Sequence, residues 1–292
     1  MCEHPGTVGE MDLTFFGVRG SCPCAGEEYG RVGGNTSCTL VSVDEEPLLV
    51  LDLGSGMRAL GERLARAGTP LHMHALLTHL HFDHLLGLPF FAPLLEPGAQ
   101  LRLFGPEQDG KHLRDALACA MRPPFFPVSM FDLGGEVEVE ELSGEGPGGV
   151  ALALGGIAVR AARVPHPGPT LGFRLSANAK TAVYIPDHQA PPDRKTIPEQ
   201  VQALCEGADV LVHDAQYTEA EYAMKPTWGH STAAYAIRVA VESGVARLVL
   251  FHHDPSHTDR DLDELLADAR RHPDARKLDE VSVAIEGATV RV

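Results

Sequence analysis

The segment Thr78-His79-Leu80-His81-Phe82-Asp83-His84 constrains this chain more than any other stretch. It ends an apolar, β-prone run over residues 71–78, so its histidines stand where a strand gives way to a loop. His79 and His81 are two positions apart and can turn to one side, and Asp83 and His84 follow at once. Imidazole and carboxylate suit zinc and neighbouring divalent metals, and a site of three or four protein ligands leaves a position open for water. The competing reading is a solvated His-rich loop. The order His-x-His-x-Asp-His directly after a strand argues against it.

Fifteen histidines is a high count for 292 residues. Beyond the opening run, His166, His188, His213, His230 and the pair His252-His253 also fall near expected strand ends. Short strands are expected over 11–18, 39–43 and 48–53, the last ended by Gly54-Ser55-Gly56. A helix is expected over 57–67, a helical start over 82–95 interrupted by Gly87 and Pro89, a strand over 101–104 and a helix over 108–121. Three prolines make 122–127 an irregular loop. Strands over 137–142 and 157–164 flank a Gly-rich turn at 143–149, and 171–175 with 181–185 reads as a hairpin. The second half alternates: helix 199–206, strand 210–213, helix 231–243, strand 246–251, a helix over 259–272 capped by Thr258, and strands 281–285 and 288–292. No linker or repeat interrupts this pattern. Residues 1–292 therefore read as a single domain of the α/β class, with helices covering a sheet core.

The net charge is −16, from 24 basic and 40 acidic residues. Such a surface repels long polyanions unless a basic patch is segregated, and no Lys/Arg-rich run supplies one. The expectation is a small substrate, with nucleic acid disfavoured as a partner. No apolar run approaches the roughly 18 residues of a membrane helix. The first residues lack a basic region followed by an apolar one, and the six cysteines are sparse, which reads as a reduced, cytoplasmic protein without membrane association.

The ligand run resembles the signature of the metallo-β-lactamase fold superfamily. Phe16-Gly17-Val18-Arg19-Gly20-Ser21, Gly33-Gly34-Asn35-Thr36-Ser37 and Leu51-Asp52-Leu53-Gly54-Ser55-Gly56 resemble the opening strands of its ribonuclease Z and cyclic-nucleotide phosphodiesterase branch. The resemblance spans about residues 11–257 and implies a four-layer αβ/βα sandwich with a dinuclear site at its edge. It implies that His79, His81 and His166 hold one divalent metal ion, that Asp83, His84 and His252 hold a second, and that Asp187 bridges them. Zinc is the first expectation, and manganese or iron suits the same ligands. His253 is the alternative to His252. The resemblance also gives His230, in Trp228-Gly229-His230-Ser231-Thr232, as the general acid. Asp214 would orient it, where the branch carries the longer Glu, and Asp83 would belong to the catalytic set as well as to the ligands. The nucleophile would be a hydroxide formed from water between the cations.

The implied activity is hydrolysis of a small phosphodiester, a cyclic nucleotide in the first instance. The rivals are a tRNA 3′-end endoribonuclease of the ribonuclease Z type, a lactone or thioester hydrolase, and a non-enzymatic metal sensor. His166 and Asp187 are only 21 positions apart, a span filled by the expected hairpin, which leaves no room there for the branch's tRNA-gripping arm. A homodimer is expected from the resemblance alone. His188 and His257 are expected beside the site or facing solvent, His213 buried or supporting, and His72 and His74 packed. The segment Ser21-Cys22-Pro23-Cys24 is read as lining the pocket rim or, more simply, as two incidental thiols, and Phe125 or Phe126 as stacking on a base, packing or meeting a second copy.

Overall fold

A computed structural model of the chain describes residues 10–44, 46–66, 71–146 and 148–292, with side chains for all of these except 46–48. The first half supplies β1 (Met11–Gly17), β2 (Cys38–Val43), β3 (Glu46–Leu51), α1 (Met57–Ala65), β4 (His72–Leu76), β5 (Gln100–Pro106), α2 (Leu113–Ala120) and β6 (Glu136–Leu142). The second half supplies β7 (Val150–Leu154), β8 (Ile157–Arg163), β9 (Leu171–Ala177), β10 (Lys180–Ile185), α3 (Glu199–Cys205), β11 (Val210–Asp214), α4 (Glu219–Met224), α5 (Ala233–Glu242), β12 (Arg247–Phe251) and α6 (Asp259–Arg271). The chain then adds β13 (Glu280–Val283) and β14 (Thr289–Arg291).

Each sheet has seven strands, in the orders β14-β1-β2-β3-β4-β5-β6 and β13-β12-β11-β10-β9-β8-β7. The near-continuous apolar character of β11 and β12 reflects burial on both faces, as parallel strands require. One set of buried side chains, including Leu13, Phe15, Leu49, Phe173, Tyr184 and Phe251, fills the space between the sheets. Phe251 anchors that layer, with ring centroids 5.8 Å from Phe15 and 5.6 Å from Tyr184. The outer face of the first sheet packs on α1 and α2 through Met57, Leu60, Leu113 and Leu117. That of the second packs on α3, α5 and α6 through Val201, Leu204, Ile237 and Leu265. This is the four-layer αβ/βα sandwich that the resemblance implies.

Several local expectations need correction. The stretch 82–95 is not a helix start but three short 3-10 turns, Phe82–His84, Leu88–Phe90 and Ala92–Leu95, because Gly87, Pro89 and Pro93 prevent a continuous α-ladder. The helix expected from 108 begins only at Leu113, after a turn in which Gly110 has φ 75°. The strand β7 and the helix α4 were not anticipated. β7 is a short hairpin arm whose alternating Val-Ala-Leu-Ala-Leu pairs with β8, and α4 starts from a capping box between Thr218 and Glu221. The last residue of the helix expected over 57–67 lies outside the described residues. His72 is exposed and pairs with Gln100 at 3.0 Å rather than packing, whereas His74 lies against Phe104 with ring centroids 6.1 Å apart. Among the described residues, no helix is long and apolar enough to cross a membrane.

The topology positions the site. β3–β6 run parallel to one another, as do β10–β13. In parallel sheets the carboxyl ends of the strands open onto the ligand crevice. Asp52 follows β3, His79 lies just beyond β4, Asp187 beyond β10, Asp214 ends β11, and His252 follows β12. The inter-sheet layer can be tested directly. Phe173→Ala removes a fully buried ring from it and is expected to cost about 3–5 kcal/mol of stability. Urea unfolding measures this, and a loss under about 1 kcal/mol would mean that the two sheets do not share this core.

Candidate metal centre

Four histidines of the centre, His79, His84, His166 and His252, are fixed from behind before they face their neighbours. His84 Nδ1 lies 2.9 Å from Asp52 Oδ2, so its N–H donates to that carboxylate. His166 Nδ1 donates to the Gly229 carbonyl at 2.7 Å. His252 Nδ1 donates to Gln216 Oε1 at 2.8 Å, while the Gln216 amide nitrogen faces Ser21 Oγ and Asp254 Oδ2. Thr78 Oγ1 donates to Asp52 Oδ1 at 2.9 Å and therefore accepts from His79 Nδ1 at 3.0 Å. In all these rings a proton is held on Nδ1 and Nε2 is left pointing inward. That is how outer hydrogen bonds set the tautomer of a ligating imidazole.

The inward-facing atoms converge. His84 Nε2 and His252 Nε2 are 3.3 Å apart, and Asp83 Oδ2 lies 3.4 and 3.2 Å from them. His166 Nε2 lies 3.2 Å from His81 Nδ1, with the His79 ring 4.4 Å from that of His81 and 4.7 Å from that of His166. Asp187 stands between the two groups. Its Oδ2 is 3.1 Å from His84 Nε2 and 3.3 Å from His252 Nε2, and its Oδ1 is 3.9 Å from His79 Nε2 and 3.8 Å from His166 Nε2.

The triads His79–His81–His166, His79–His84–Asp187 and Asp83–His84–His252 each bring three ligand atoms within 4.8 Å of one another. His79 Nε2 and both Asp187 oxygens are buried with no hydrogen-bond partner. Burying acceptors face to face without donors is costly. Cations between the two groups would satisfy every one of these atoms, so the residues fit divalent metal ions.

The electrostatics agree. Burial, with help from His84, holds His79 well below the ordinary histidine range, and burial pushes His166 down to about 4. Burial also disfavours charge on His84, but Asp187, Asp52 and Asp83 outweigh it and raise its pKa. For Asp187, burial opposes ionisation, and His252, His84 and His79 overcome it, so the carboxylate stays ionised well below its ordinary range. The cluster is an anionic pocket that draws positive charge.

The backbone is shaped to this end. His252, Asp52 and Ser21 are non-glycine residues in the left-handed region, with φ of 61°, 59° and 60°. Strain of this kind persists where the surroundings over-determine it. At His252 it turns the ring into the centre while His253 faces away, its Nε2 3.0 Å from the Ala284 carbonyl. Gly229, at φ 96°, lets the backbone meet His166: an added Cβ would sit 2.6 Å from the ring. Ser21 places its N–H 2.7 Å from Asp83 Oδ2.

Beside the centre lies a second constellation. His230 Nδ1 is 3.0 Å from Asp214 Oδ2, so the shorter Asp side chain spans the gap. Asp214 is itself held by the backbone N–H groups of His188 at 3.0 Å and Gln216 at 2.9 Å. The His230 ring stacks on His252 at 4.9 Å and lies 5.4 Å from His166. Burial opposes charge on His230, but Asp214 outweighs it and raises the pKa.

His188 and His213 are buried behind the site. His213 Nδ1 donates to the Asp214 carbonyl at 2.8 Å, so its Nε2 accepts from His188 Nδ1 at 2.9 Å. His257 is tied to Glu221 at 2.9 Å and is not part of the cluster. Asp52, Thr78, Gln216 and the Gly229 carbonyl have supporting roles that the sequence reading does not assign. Asp52 carried a usable signal, a carboxylate inside the apolar run Leu-Leu-Val-Leu-Asp-Leu.

Two measurements follow from this geometry. The purified protein is expected to carry two divalent cations per chain by elemental analysis, and a folded, stable protein devoid of metal would exclude this centre. Asp52→Asn removes the charged acceptor behind His84 and is expected to weaken metal retention about 10–100-fold in a chelator titration. Unchanged retention would deny Asp52 that role.

Residues 50–253 match the family described as beta-lactamase superfamily domain. A ribonuclease Z of Myxococcus xanthus is 28% identical over 332 aligned positions, covering 97% of this chain and 98% of that protein. A ribonuclease Z of Haloferax volcanii is 26% identical over 336 positions, covering 97% and 95%. Among solved structures, a metallo-β-lactamase fold protein from Bacillus subtilis superposes with a TM-score of 0.71 at 17% identity, covering 97% of this chain and 99% of that one. The two ribonuclease Z relatives remove the support for treating nucleic acid as a disfavoured partner. A charge of −16 bears on the average surface, not on what one local site accepts. The chain belongs to the beta-lactamase superfamily, as a metal-dependent hydrolase with the metallo-β-lactamase fold.

Proposed function

We propose that the protein hydrolyses a small phosphodiester, a cyclic nucleotide being the leading candidate, and that residues 1–292 form one hydrolase domain working in the cytoplasm. Two divalent cations would be its cofactors, zinc first by ligand chemistry and manganese or iron next. His79, His81 and His166 would hold one, Asp83, His84 and His252 the other, with one oxygen of Asp187 turned toward each group. When bound, the cations supply electrophilic stabilisation of the phosphoryl oxygens and activation of water.

The observation that carries the reading is the His230–Asp214 pair beside the cluster, with its 3.0 Å contact. Departure of an alkoxide from phosphorus requires a proton, whereas a thiolate leaves without one. A general acid must therefore stand beside the ligands without being consumed as one of them. Asp214 holds the proton on His230 Nδ1 and favours the doubly protonated ring, which keeps an N–H on Nε2 for the leaving oxygen. His188 and Gln216 fix Asp214 through backbone N–H groups, so the donor is oriented before substrate arrives.

A second reading, cleavage of RNA in the manner of ribonuclease Z, is supported by the names of the relatives above. Against a tRNA-gripping arm between His166 and Asp187, the span from 171 to 185 is occupied by β9, its turn and β10. A panel of cyclic nucleotides, a nitrophenyl phosphodiester, precursor tRNA and a lactone separates the readings, and cleavage of the tRNA alone would overturn the proposal.

His230→Ala is expected to keep its metal. It should lose about 10²–10⁴-fold in kcat on substrates with a poor alkoxide leaving group, yet little on a nitrophenyl ester that needs no proton. An equal loss on both, or none on either, removes His230 as the acid.

A further inference from the structure

A groove of about 260 Å³ begins at Phe82, and its walls include Leu86, Phe90, Phe125, Phe126 and Met130. Every lining side chain is Phe, Leu, Pro, Ala or Met, so the groove offers neither a charge nor a side-chain hydrogen bond. Water gains nothing there, yet Phe82 is 74% and Phe125 82% exposed, with Phe90 and Leu86 also exposed. Contiguous apolar exposure of this kind marks a binding surface. The groove is built rather than incidental. Phe90 and Phe126 meet edge to face, with centroids 6.0 Å apart and planes at 88°. Leu117 and Met121 line it from the first sheet's helical layer, where both are buried.

Its position identifies its occupant. Phe82 stands between His81 and Asp83, and consecutive Cα atoms are only about 3.8 Å apart. Leu85, another lining residue, follows His84 directly. The groove therefore opens beside the ligands, where an ester arm of a molecule with its phosphorus at the cluster would lie. A second phosphate or other charged group finds no counter-charge among the residues that line the groove.

We propose that the groove receives one ester substituent of the phosphodiester, and that this substituent is an uncharged aromatic or aliphatic group. The groove would thus favour singly charged diesters that carry an uncharged ring or chain on one side, the base in the case of a cyclic nucleotide. The proposal rests on the phosphodiester reading above.

The test uses the metal-loaded full chain and a series of methyl phosphodiesters whose second arm is methyl, butyl or benzyl, read by the methanol released. Leaving group and charge are constant across the series. For the unaltered protein, kcat/KM for the benzyl compound should exceed that for the methyl compound about tenfold, chiefly through KM. Phe125→Ser and Leu86→Ser, both exposed and outside the ligand set, should each bring the ratio toward unity without changing turnover of the methyl compound. Turnover of all three compounds with a ratio indifferent to both substitutions overturns the groove's role. So does a change from dimer to monomer in either variant with the ratio unchanged, which would make the face a contact between copies of this chain. No turnover of any member fails the phosphodiester reading itself, and the groove proposal with it.

Discussion

Everything at the edge of this sandwich answers to one constraint: His79 Nε2 and both carboxylate oxygens of Asp187 are buried without a hydrogen-bond partner, among the inward-facing nitrogens of His84, His166 and His252. Acceptors in that arrangement repel unless positive charge lies among them. The hydrogen bonds behind His79, His84, His166 and His252 keep Nδ1 protonated and stop the rings from turning away to find other partners. The left-handed residues at Asp52 and His252 and the glycine at 229 hold the backbone close enough for those bonds to form. The whole rear face of the site is thus a device for keeping the front face unsatisfied until a cation arrives.

Much of this was readable in the chain, for a physical reason. A strand ending in His-x-His-x-Asp-His leaves few alternatives, and the strands before Asp187, Asp214 and His252 are apolar runs whose ends the sequence marks sharply. The fold class followed from the same alternation. Less was readable where the deciding contact is distant in sequence. Nothing near Asp52 says that its oxygens will receive Thr78, Tyr184 and His84, since Thr78 and His84 come beside it only when β4 pairs with β3, and Tyr184 only once the two sheets face each other. The choice between His252 and His253 likewise depends on one residue's φ, which no neighbouring side chain announces. The composition of 82–95 suits a helix start, whereas in the fold Gly87 gives its N–H to the Leu53 carbonyl and the stretch breaks into short turns.

The same alternation of anchored and unanchored groups separates chemistry from selection. His79, Asp187, Asp214 and His252 stand at or just past strand ends, whereas His230 lies in the loop before α5 and Asp83 and His84 in the Phe82–His84 turn. The apolar walls come from that same Phe82–His84 turn, the Leu88–Phe90 turn and the 122–130 loop, which hold little ladder hydrogen bonding of their own. The Leu88–Phe90 turn and the 122–130 loop hold none of the ligands, so they can alter what is accepted without disturbing how it reacts.

The last two strands have a mechanical consequence. β13 joins the second sheet beside β12, and after a few residues β14 crosses over to pair with β1 in the first. Between them, Glu286 accepts from the Asn35 side chain at 3.0 Å, on the first-sheet side. The halves are therefore laced together rather than merely stacked. A clamshell opening would have to tear a β-ladder, and sliding one sheet over the other would pull β13 and β14 in opposite directions. Any widening of the entrance is thereby left to the loops, so traffic in and out is a matter of local gating above a frame that does not breathe.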